Sequence, residues 1–173
     1  GVLKNWEWYD DPKRILFSMS RYKFVSKMFA GRRNVLEVGC GDGFNAPVVR
    51  QTVQNLTIAD FDPVFIEDAR SRMRDRWPYE AIVVDVMKDE FPGVYDGIYS
   101  LDMLEHIPQK DEDMVLQKMV RALSDDVHEQ GAALMTQLTH LGHRTDNYTH
   151  DWVPALSASG TREDNAMTYV GER

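Results

Sequence analysis

The chain has 173 residues, of which 43% are hydrophobic and 28% charged, so we expect one globular domain with a sizeable core. Its formal net charge of −8 disfavours a nucleic-acid groove as the main binding surface, because phosphate contacts need clustered Lys and Arg. Cys40 is the single cysteine, which excludes an internal disulfide and favours a reducing, cytoplasmic setting. The apolar runs are too short to span a bilayer, and we expect no signal peptide.

The N-terminal part is predicted to be an aromatic segment followed by a helix. An Asp11-Pro12 pair after residues 2–10 is typical of a helix start, with an acid at the N-cap and proline in the first turn. We predict a helix over residues 12–30. We interpret the aromatics as a staple that fixes this helix to a sheet, in preference to a lid over a substrate. The aromatics are Trp6, Trp8 and Tyr9, and the predicted apolar face of the helix consists of Phe17, Phe24, Val25 and Met28.

A strand, a tight glycine turn and a helix start follow within residues 34–46, which read N-V-L-E-V-G-C-G-D-G-F-N-A. Glycine permits a positive φ and lets a ligand lie against bare main chain. The following helix presents free N–H groups and a positive dipole end, so the turn suits a polar, flat cofactor. A dinucleotide fingerprint reads G-x-G-x-x-G, whereas here an acid on the strand precedes three glycines at alternate positions.

This order, E-x-G-x-G-x-G, resembles motif I of the class I S-adenosylmethionine-dependent methyltransferases, and the resemblance can be followed over residues 21–107. In that family the turn holds the methionine part and the ribose of S-adenosylmethionine, which is converted to S-adenosylhomocysteine. The resemblance implies that the strand acid lies beneath the glycine loop, orients it and contacts the methionine amino group. It assigns to the cofactor Glu37, Gly39, Cys40, Gly41 and Gly43.

The second predicted strand ends in Asp60, an acid 19 residues after Gly41. An acid at this offset can accept hydrogen bonds from both ribose hydroxyls. The run D-F-D-P-V-F-I-E-D-A resembles motif II of the family, which implies that Asp60 binds the ribose and that Phe61 lies on an adenine face. Asp62 is interpreted as the N-cap of the next helix, because proline follows it at the first helical position.

The third and fourth predicted strands end at the same edge of the sheet, where ligands of open α/β sheets gather. Asp85-Val86 resembles the family's adenine clamp, in which the acid accepts from the adenine amino group and the next backbone N–H donates to the ring. The segment Y-D-G-I-Y-S-L-D-M-L-E-H-I-P resembles motif IV. This resemblance implies that the main chain at Ser100 and Leu101 faces the amino group and sulfonium of the cofactor.

The rim beyond the fourth strand carries the candidate catalytic residues Asp102 and His106. His106 is the candidate general base, because the unperturbed pKa of histidine is near neutral. The alternative is that His106 and its neighbour Glu105 orient the loop by hydrogen bonds. Methyl transfer requires nucleophile, methyl carbon and sulfur in line, and it needs a base where the acceptor is a hydroxyl or an ammonium.

The order of elements predicts an α/β fold with a doubly wound, mostly parallel sheet and helices on both faces, the Rossmann-like methyltransferase fold. We predict one domain made of an N-terminal segment (1–33), a cofactor-binding core (34–138) and a polar tail (139–173). The C-terminal strands are expected to be incomplete, so the tail is irregular, truncated, or paired with a second copy in a homodimer. The strands after the first are predicted at residues 56–60, 81–85, 95–101 and 132–138, and the tail looks strand-like over 167–170.

The polar tail contains histidines and acids that could bind a transition metal or line the substrate entrance. We predict no metal there, because loop histidines without an aligning helix rarely form a site. These residues are His140, His143, Asp146, His150 and Asp151.

Together these patterns predict a methyltransferase that acts on a small molecule, a lipid or a sugar, with no nucleic-acid partner and no membrane span. Motif IV lacks the N-P-P-Y type of sequence that resembles amino-group methylation of bases or glutamine. Two alternatives stay open: a non-catalytic cofactor-binding or scaffold protein with the same fold, and a nicotinamide-dependent oxidoreductase.

Overall fold

The computed structural model describes residues 1–123 and 133–137. Two 3-10 turns, Leu104–His106 and Gln109–Asp111, precede the last helix. The strands are β1 Asn34–Val38, β2 Asn55–Asp60, β3 Glu80–Val83, β4 Gly97–Leu101 and β5 Ala133–Gln137. The helices are α1 Val2–Asp10, α2 Lys13–Met28, α3 Ala46–Arg50, α4 Pro63–Arg72 and α5 Glu112–Arg121.

The described strands form one parallel sheet in the order β3-β2-β1-β4-β5. β1 lies at its centre, where Val38 pairs with Ala59 of β2 and with Ser100 of β4. The chain moves outward from β1 to β3, and then crosses to the other side of β1 to form β4. Such a reversal leaves a crevice at the carboxyl ends of the central strands, where ligands of open α/β sheets bind.

Alternate residues of β1 pack into two separate hydrophobic clusters, as the two-residue period of a strand requires. Val35 packs with buried side chains of α2, α3 and α4, among them Val25 and Val49. Leu36 packs on the opposite face with α5, where Val115 is fully buried. Helices therefore cover both faces of the sheet, which confirms the predicted fold class and holds the end of β1 firmly in place.

The predicted apolar face of α2 is wrong except at Val25. The buried aromatic and aliphatic side chains are Tyr22, Val25 and, just after the helix, Phe29, whereas Phe17 and Phe24 are exposed. Both sets follow helical spacing, so periodicity alone could not choose between them. A tertiary contact determines which face is buried, because the hydroxyl of Tyr22 donates a hydrogen bond to the buried carboxylate of Glu37 in β1.

Residues 2–10 form helix α1, and its aromatic residues do not act as a staple. Trp6 and Trp8 are each 59% exposed, and no residue of α1 is buried. The helix is held instead through its first turn, where the backbone N–H groups of Leu3 and Lys4 donate to Asp42 at 2.8 and 3.2 Å. A carboxylate at this position satisfies donors that a helix start leaves unpaired.

The remaining elements follow the predictions with local differences. Asp62 caps α4 as predicted, since its carboxylate accepts from the Val64 N–H at 2.8 Å. That helix ends at Arg72. β3 ends at Val83, and Asp85 lies in the loop after it rather than on the strand.

The predicted fifth strand is confirmed as β5. The tail residues His140, His143, Asp146, His150 and Asp151 lie outside the described residues, as does the strand-like stretch 167–170. The division of the chain into three parts therefore stays a prediction. No helix within the described part of the chain is both long enough and apolar enough to cross a membrane.

Candidate active site

An open cavity of about 790 Å³ lies at the carboxyl ends of β1 to β4. Its walls come from the glycine turn after β1, the ends of β2 and β3, and the loop after β4. Lys4 and Glu7 of α1, together with Ser18 and Tyr22 of α2, also line it. The cavity therefore occupies the crevice that the strand order creates, with the two N-terminal helices along one side.

The glycine turn folds back onto the end of β2. The N–H groups of Gly39 and Cys40 both donate to the carbonyl oxygen of Ala59, at 2.8 and 3.1 Å. Gly39 has a φ of +77° and Gly41 a φ of +54°. A Cβ atom at Gly39 would lie 2.5 Å from Cγ of Met103. The turn therefore requires glycine for its backbone conformation and, at Gly39, also for space.

We expect Gly39→Ala to lower the free energy of unfolding by about 2 kcal/mol, because positive φ and steric overlap with Met103 add together. Gly31→Ala is the matched control. Gly31 also has a positive φ, +83°, but a Cβ there meets no atom within 4 Å. Its loss should be about 1 kcal/mol, from backbone strain alone. Urea unfolding of both variants measures the difference, and equal losses would show that Met103 does not restrict the turn.

Asp60 closes the turn from β2. Its Oδ2 accepts the Gly41 N–H at 2.8 Å, and its Oδ1 accepts the Asp62 N–H at 3.0 Å. Burial raises the pKa of the Asp60 carboxyl, and the backbone hydrogen bonds oppose this rise. Phe61 follows at the cavity wall with 70% of its side chain exposed. An acceptor and an apolar ring thus stand side by side at one edge of the cavity.

Glu37 lies beneath the turn in a buried hydrogen-bonded cluster with two tyrosines. Its carboxylate accepts from the hydroxyl of Tyr22, and from the hydroxyl of Tyr99 at 2.8 Å. Burial raises the pKa of the Glu37 carboxyl to about 7, and the two tyrosine hydrogen bonds oppose this rise. Tyr22 lines the cavity and Glu37 does not. Glu37 therefore supports the turn from below, while its direct contact with the methionine amino group stays a prediction.

The loop after β3 forms the wall opposite the glycine turn. Asp85 accepts the Met87 N–H at 3.0 Å and the Lys88 ammonium at 2.6 Å. The hydrogen bond from Lys88 is the main reason that the pKa of the Asp85 carboxyl is lowered. Val86 lines the cavity, and none of the described residues accepts a hydrogen bond from its N–H. The wall thus offers an ionised acceptor beside a backbone donor.

Asp102 lies at the mouth of the cavity in a tight ion pair with Arg21 of α2. The guanidinium nitrogens lie 2.7 and 2.5 Å from the two carboxylate oxygens. Asp102 has a φ of +55°, a conformation that is costly for a residue with a side chain. The ion pair holds the loop after β4 against α2, and the catalytic role of Asp102 stays a prediction.

His106 lines the same mouth on the 3-10 turn after β4, and its side chain is exposed. It faces the cavity together with Met103 and Ile107. The position is compatible with proton transfer at the entrance. Cys40, by contrast, is buried, and burial raises the pKa of its thiol, so it stays protonated and is unsuited to act as a nucleophile.

Most of the predicted site residues line this one cavity. Gly43 and Ser100 do not line it. A Cβ at Gly43 would lie 2.6 Å from Cδ1 of Ile58, so this glycine lets the chain pack against β2. Ser100 is buried inside β4. The residues that do line the cavity are Gly39, Cys40, Gly41, Asp60, Phe61, Asp85, Val86, Leu101, Asp102 and His106.

Asn45 is a cavity residue that sequence reasoning missed. Its side chain is buried, its Nδ2 donates to Ser18 Oγ at 2.6 Å, and its Oδ1 has no hydrogen-bond partner among the described residues. A buried acceptor without a partner is costly, so a bound donor would stabilise this site. The signal in the sequence was an amide two residues after the last glycine of the turn, a position that is also typical of a helix N-cap.

Comparison with known proteins identifies the family. Residues 35–126, more than half of the chain, match the family model described as a methyltransferase domain. A ubiquinone biosynthesis O-methyltransferase of Pseudomonas aeruginosa (strain UCBPP-PA14) is 33% identical over 82 residues, 46% of this chain and 35% of that protein. A multifunctional alkene reductase/demethylase OYE of Caballeronia cordobensis is 52% identical over 44 residues, 25% of this chain and 6% of that protein. The chain therefore spans about a third or less of the length of these two relatives.

The solved N-methyltransferase NodS from Bradyrhizobium japonicum WM9, in complex with S-adenosyl-L-homocysteine, shares the fold. It superposes with a TM-score of 0.56 at 22% sequence identity, over 70% of this chain and 62% of NodS. The glycine turn and strands β2 to β4 lie within residues 35–126, the part of the chain that matches the family model. The chain belongs to the class I S-adenosylmethionine-dependent methyltransferase family.

Proposed function

We propose that the protein transfers a methyl group from S-adenosylmethionine to a small-molecule, lipid or sugar acceptor. The observation that carries this proposal is the convergence of Asp60 and Asp85, from successive strand ends, on the cavity that the glycine turn lines. The family supplies the cofactor class. The geometry supports a nucleoside lying across the strand ends with its sulfonium arm toward the glycine turn.

The unpartnered acceptor on Asn45 supports this choice of cofactor. S-adenosylmethionine carries an α-ammonium group, and Asn45 Oδ1 is a buried acceptor in the cavity wall next to the turn. Gly39 and Gly41 line the same cavity, and they have no side chains that could come between a ligand and their main chain. The residues present therefore fit the methionine part of this cofactor without rearrangement of the sheet.

Each wall of the cavity then has a role in binding. Asp60 accepts from the ribose hydroxyls while it keeps the turn closed. Asp85 and the Val86 N–H would hold the base, and Phe61 would cover one face of it. Bound S-adenosylmethionine supplies a methyl group already activated by the sulfonium charge. The chain would contribute orientation, with Leu101 in the cavity wall between the glycine turn and the mouth.

The acceptor is proposed to enter at the mouth between α2 and the loop after β4. His106 is placed to take a proton from a hydroxyl or an ammonium acceptor. Asp102, fixed by Arg21, defines the position of that loop and hence of His106 four residues later. A methyl acceptor that is already neutral and nucleophilic would need no base, and the site would only have to align it with the methyl group.

The experiment that tests this function combines binding with transfer. Isothermal titration calorimetry should show binding of S-adenosylhomocysteine and no binding of NAD(H), the matched control for a Rossmann-like fold. Radiolabelled S-adenosylmethionine should then label a small molecule, lipid or sugar in cell extract. Binding of NAD(H) alone would overturn the methyltransferase assignment. Binding of S-adenosylhomocysteine without any labelled acceptor would favour the non-catalytic alternative.

A further inference from the structure

Lys118 is a buried lysine on the face of α5 that packs against the sheet. Only 6% of it is exposed, and its neighbours Val115 and Met119 are fully buried. Its ammonium donates to the carbonyl oxygens of Val86 and Asp89, both at 2.9 Å. No described carboxylate lies within ion-pair distance of this ammonium. Burial of an ammonium is costly, so these two hydrogen bonds are what make the position tolerable.

The two carbonyl groups belong to the loop that forms the base-side wall of the cavity. Val84, Asp85, Val86 and Met87 line the cavity directly. The loop is closed by its own hydrogen bonds, from the Asp85 N–H to Asp89 Oδ2 at 2.9 Å and from the Asp89 N–H to the Asp85 carbonyl at 2.7 Å. These bonds give the loop its shape. They do not determine where it lies relative to the cavity.

Hydrogen bonds to two other described elements, β2 and α5, fix the place of the loop. The Val84 N–H donates to the carbonyl oxygen of Asp60 at 2.9 Å, which ties the start of the loop to β2. Lys118 reaches from α5 and ties the middle and the end of the loop to the opposite layer of the fold. Its positive charge also contributes, after that of Lys88, to the lowered pKa of the Asp85 carboxyl. Lys118 is thus the side chain that ties this loop to α5.

We propose that Lys118 is a positioning residue for recognition of the purine base, an inference that rests on the proposed function. By holding the Val86 carbonyl from beneath, it turns the Val86 N–H and the Asp85 carboxylate toward the cavity. An adenine ring presents an amino donor and a ring-nitrogen acceptor on one edge. That pattern complements the acceptor and donor on this loop. Lys118 itself does not touch the base.

The test measures base selectivity as well as affinity. Calorimetry gives the dissociation constants of S-adenosylhomocysteine and of S-inosylhomocysteine, in which a carbonyl group replaces the amino donor. The wild type should prefer the adenine compound. Lys118→Met should weaken its binding roughly 10-fold, the scale of lost charged hydrogen bonds, and should bring the ratio of the two constants close to one. A residue that only stabilised the fold would weaken both ligands equally and leave the ratio unchanged.

Arg121→Met is the matched control, because it removes a cation from the same helix. Arg121 is exposed and pairs with Glu90, the residue just after the loop, at 3.1 Å. This variant should keep both dissociation constants within about 2-fold of the wild type, as expected for a surface pair. If it lowers the selectivity as Lys118→Met does, the proposed positioning role is wrong.

A second variant covers the case in which Lys118→Met does not fold, as judged by circular dichroism. Lys118→Gln retains a neutral donor for one carbonyl group, so it should recover part of both the affinity and the selectivity. An unchanged ratio in the folded variant overturns the role of Lys118. Failure of the wild type to bind S-adenosylhomocysteine at all overturns instead the proposed function on which it rests.

Discussion

Replacement of Asp60 by alanine should weaken the binding of S-adenosylhomocysteine by about 10- to 100-fold, the range expected for lost hydrogen bonds to a charged group. The Asp60 carboxylate does two jobs in the structure. It accepts the Gly41 N–H, which holds the glycine turn closed, and it lines the cavity where we propose the ribose lies. Alanine removes both the acceptor for the ribose hydroxyls and the acceptor for the Gly41 N–H that keeps the turn closed.

Asp62→Ala is the control for this experiment, since it removes a carboxylate two residues away. Asp62 caps α4 through the Val64 N–H, so its loss should cost about 1 kcal/mol of stability. It does not line the cavity. Cofactor affinity should therefore change by less than about 2-fold. Calorimetry measures the dissociation constant of S-adenosylhomocysteine for both variants. Equal weakening of binding in the two variants, or unchanged binding in Asp60→Ala, would mean that the cofactor does not lie against this strand end.

The sheet and the glycine turn were predictable because their signals are local. Short apolar runs, each followed by glycine or an acid, mark parallel strands that end at one edge. Asp60 and Asp85 could be placed at that edge from chain order alone, and the structure brings both to one cavity. The capping role of Asp62 was also predictable, because the acid and the proline after it form a helix start by themselves.

The helix faces and the supporting contacts were not predictable in the same way. Two stripes of α2 have helical spacing, and the buried one is selected by Tyr22, whose partner Glu37 is 15 residues away. Arg21 and Asp102 are 81 residues apart in the sequence, so no local sequence pattern predicts their ion pair. The exposure of Trp6 and Trp8 also contradicts the general tendency of tryptophan to be buried. In each case tertiary contact, rather than propensity, decides the outcome.

Glu37 should make the free energy of unfolding strongly dependent on pH. Burial raises the pKa of its carboxyl to about 7 in the folded protein, from 4.5 as the ordinary value. Between these two pH values the folded state holds a proton that the unfolded chain has released. The contribution of Glu37 to the free energy of unfolding is therefore full below about pH 4.5 and decreases as the pH rises. Above about pH 7 this contribution is lost completely, which lowers the free energy of unfolding by about 3 kcal/mol.

Glu37→Gln isolates this effect, because glutamine has nearly the shape of the protonated acid but does not titrate. Its carbonyl oxygen can accept from one tyrosine hydroxyl and its amide can donate to the other. We expect the stability of the variant relative to the wild type to rise by about 3 kcal/mol between pH 4.5 and pH 8. Urea unfolding at several pH values measures this difference, and other titrating groups cancel in it.

Tyr22→Phe is the matched control for the cluster itself. It removes the Tyr22 hydroxyl that donates to Glu37 and leaves the Tyr99 hydroxyl in place. Because that hydrogen bond lowers the pKa of Glu37, its loss should raise the pKa further and make the stability fall over a wider pH range. A difference between Glu37→Gln and wild type that stays constant with pH would show that Glu37 ionises normally. The buried cluster of Glu37 with Tyr22 and Tyr99 would then not make the stability of the protein depend on pH.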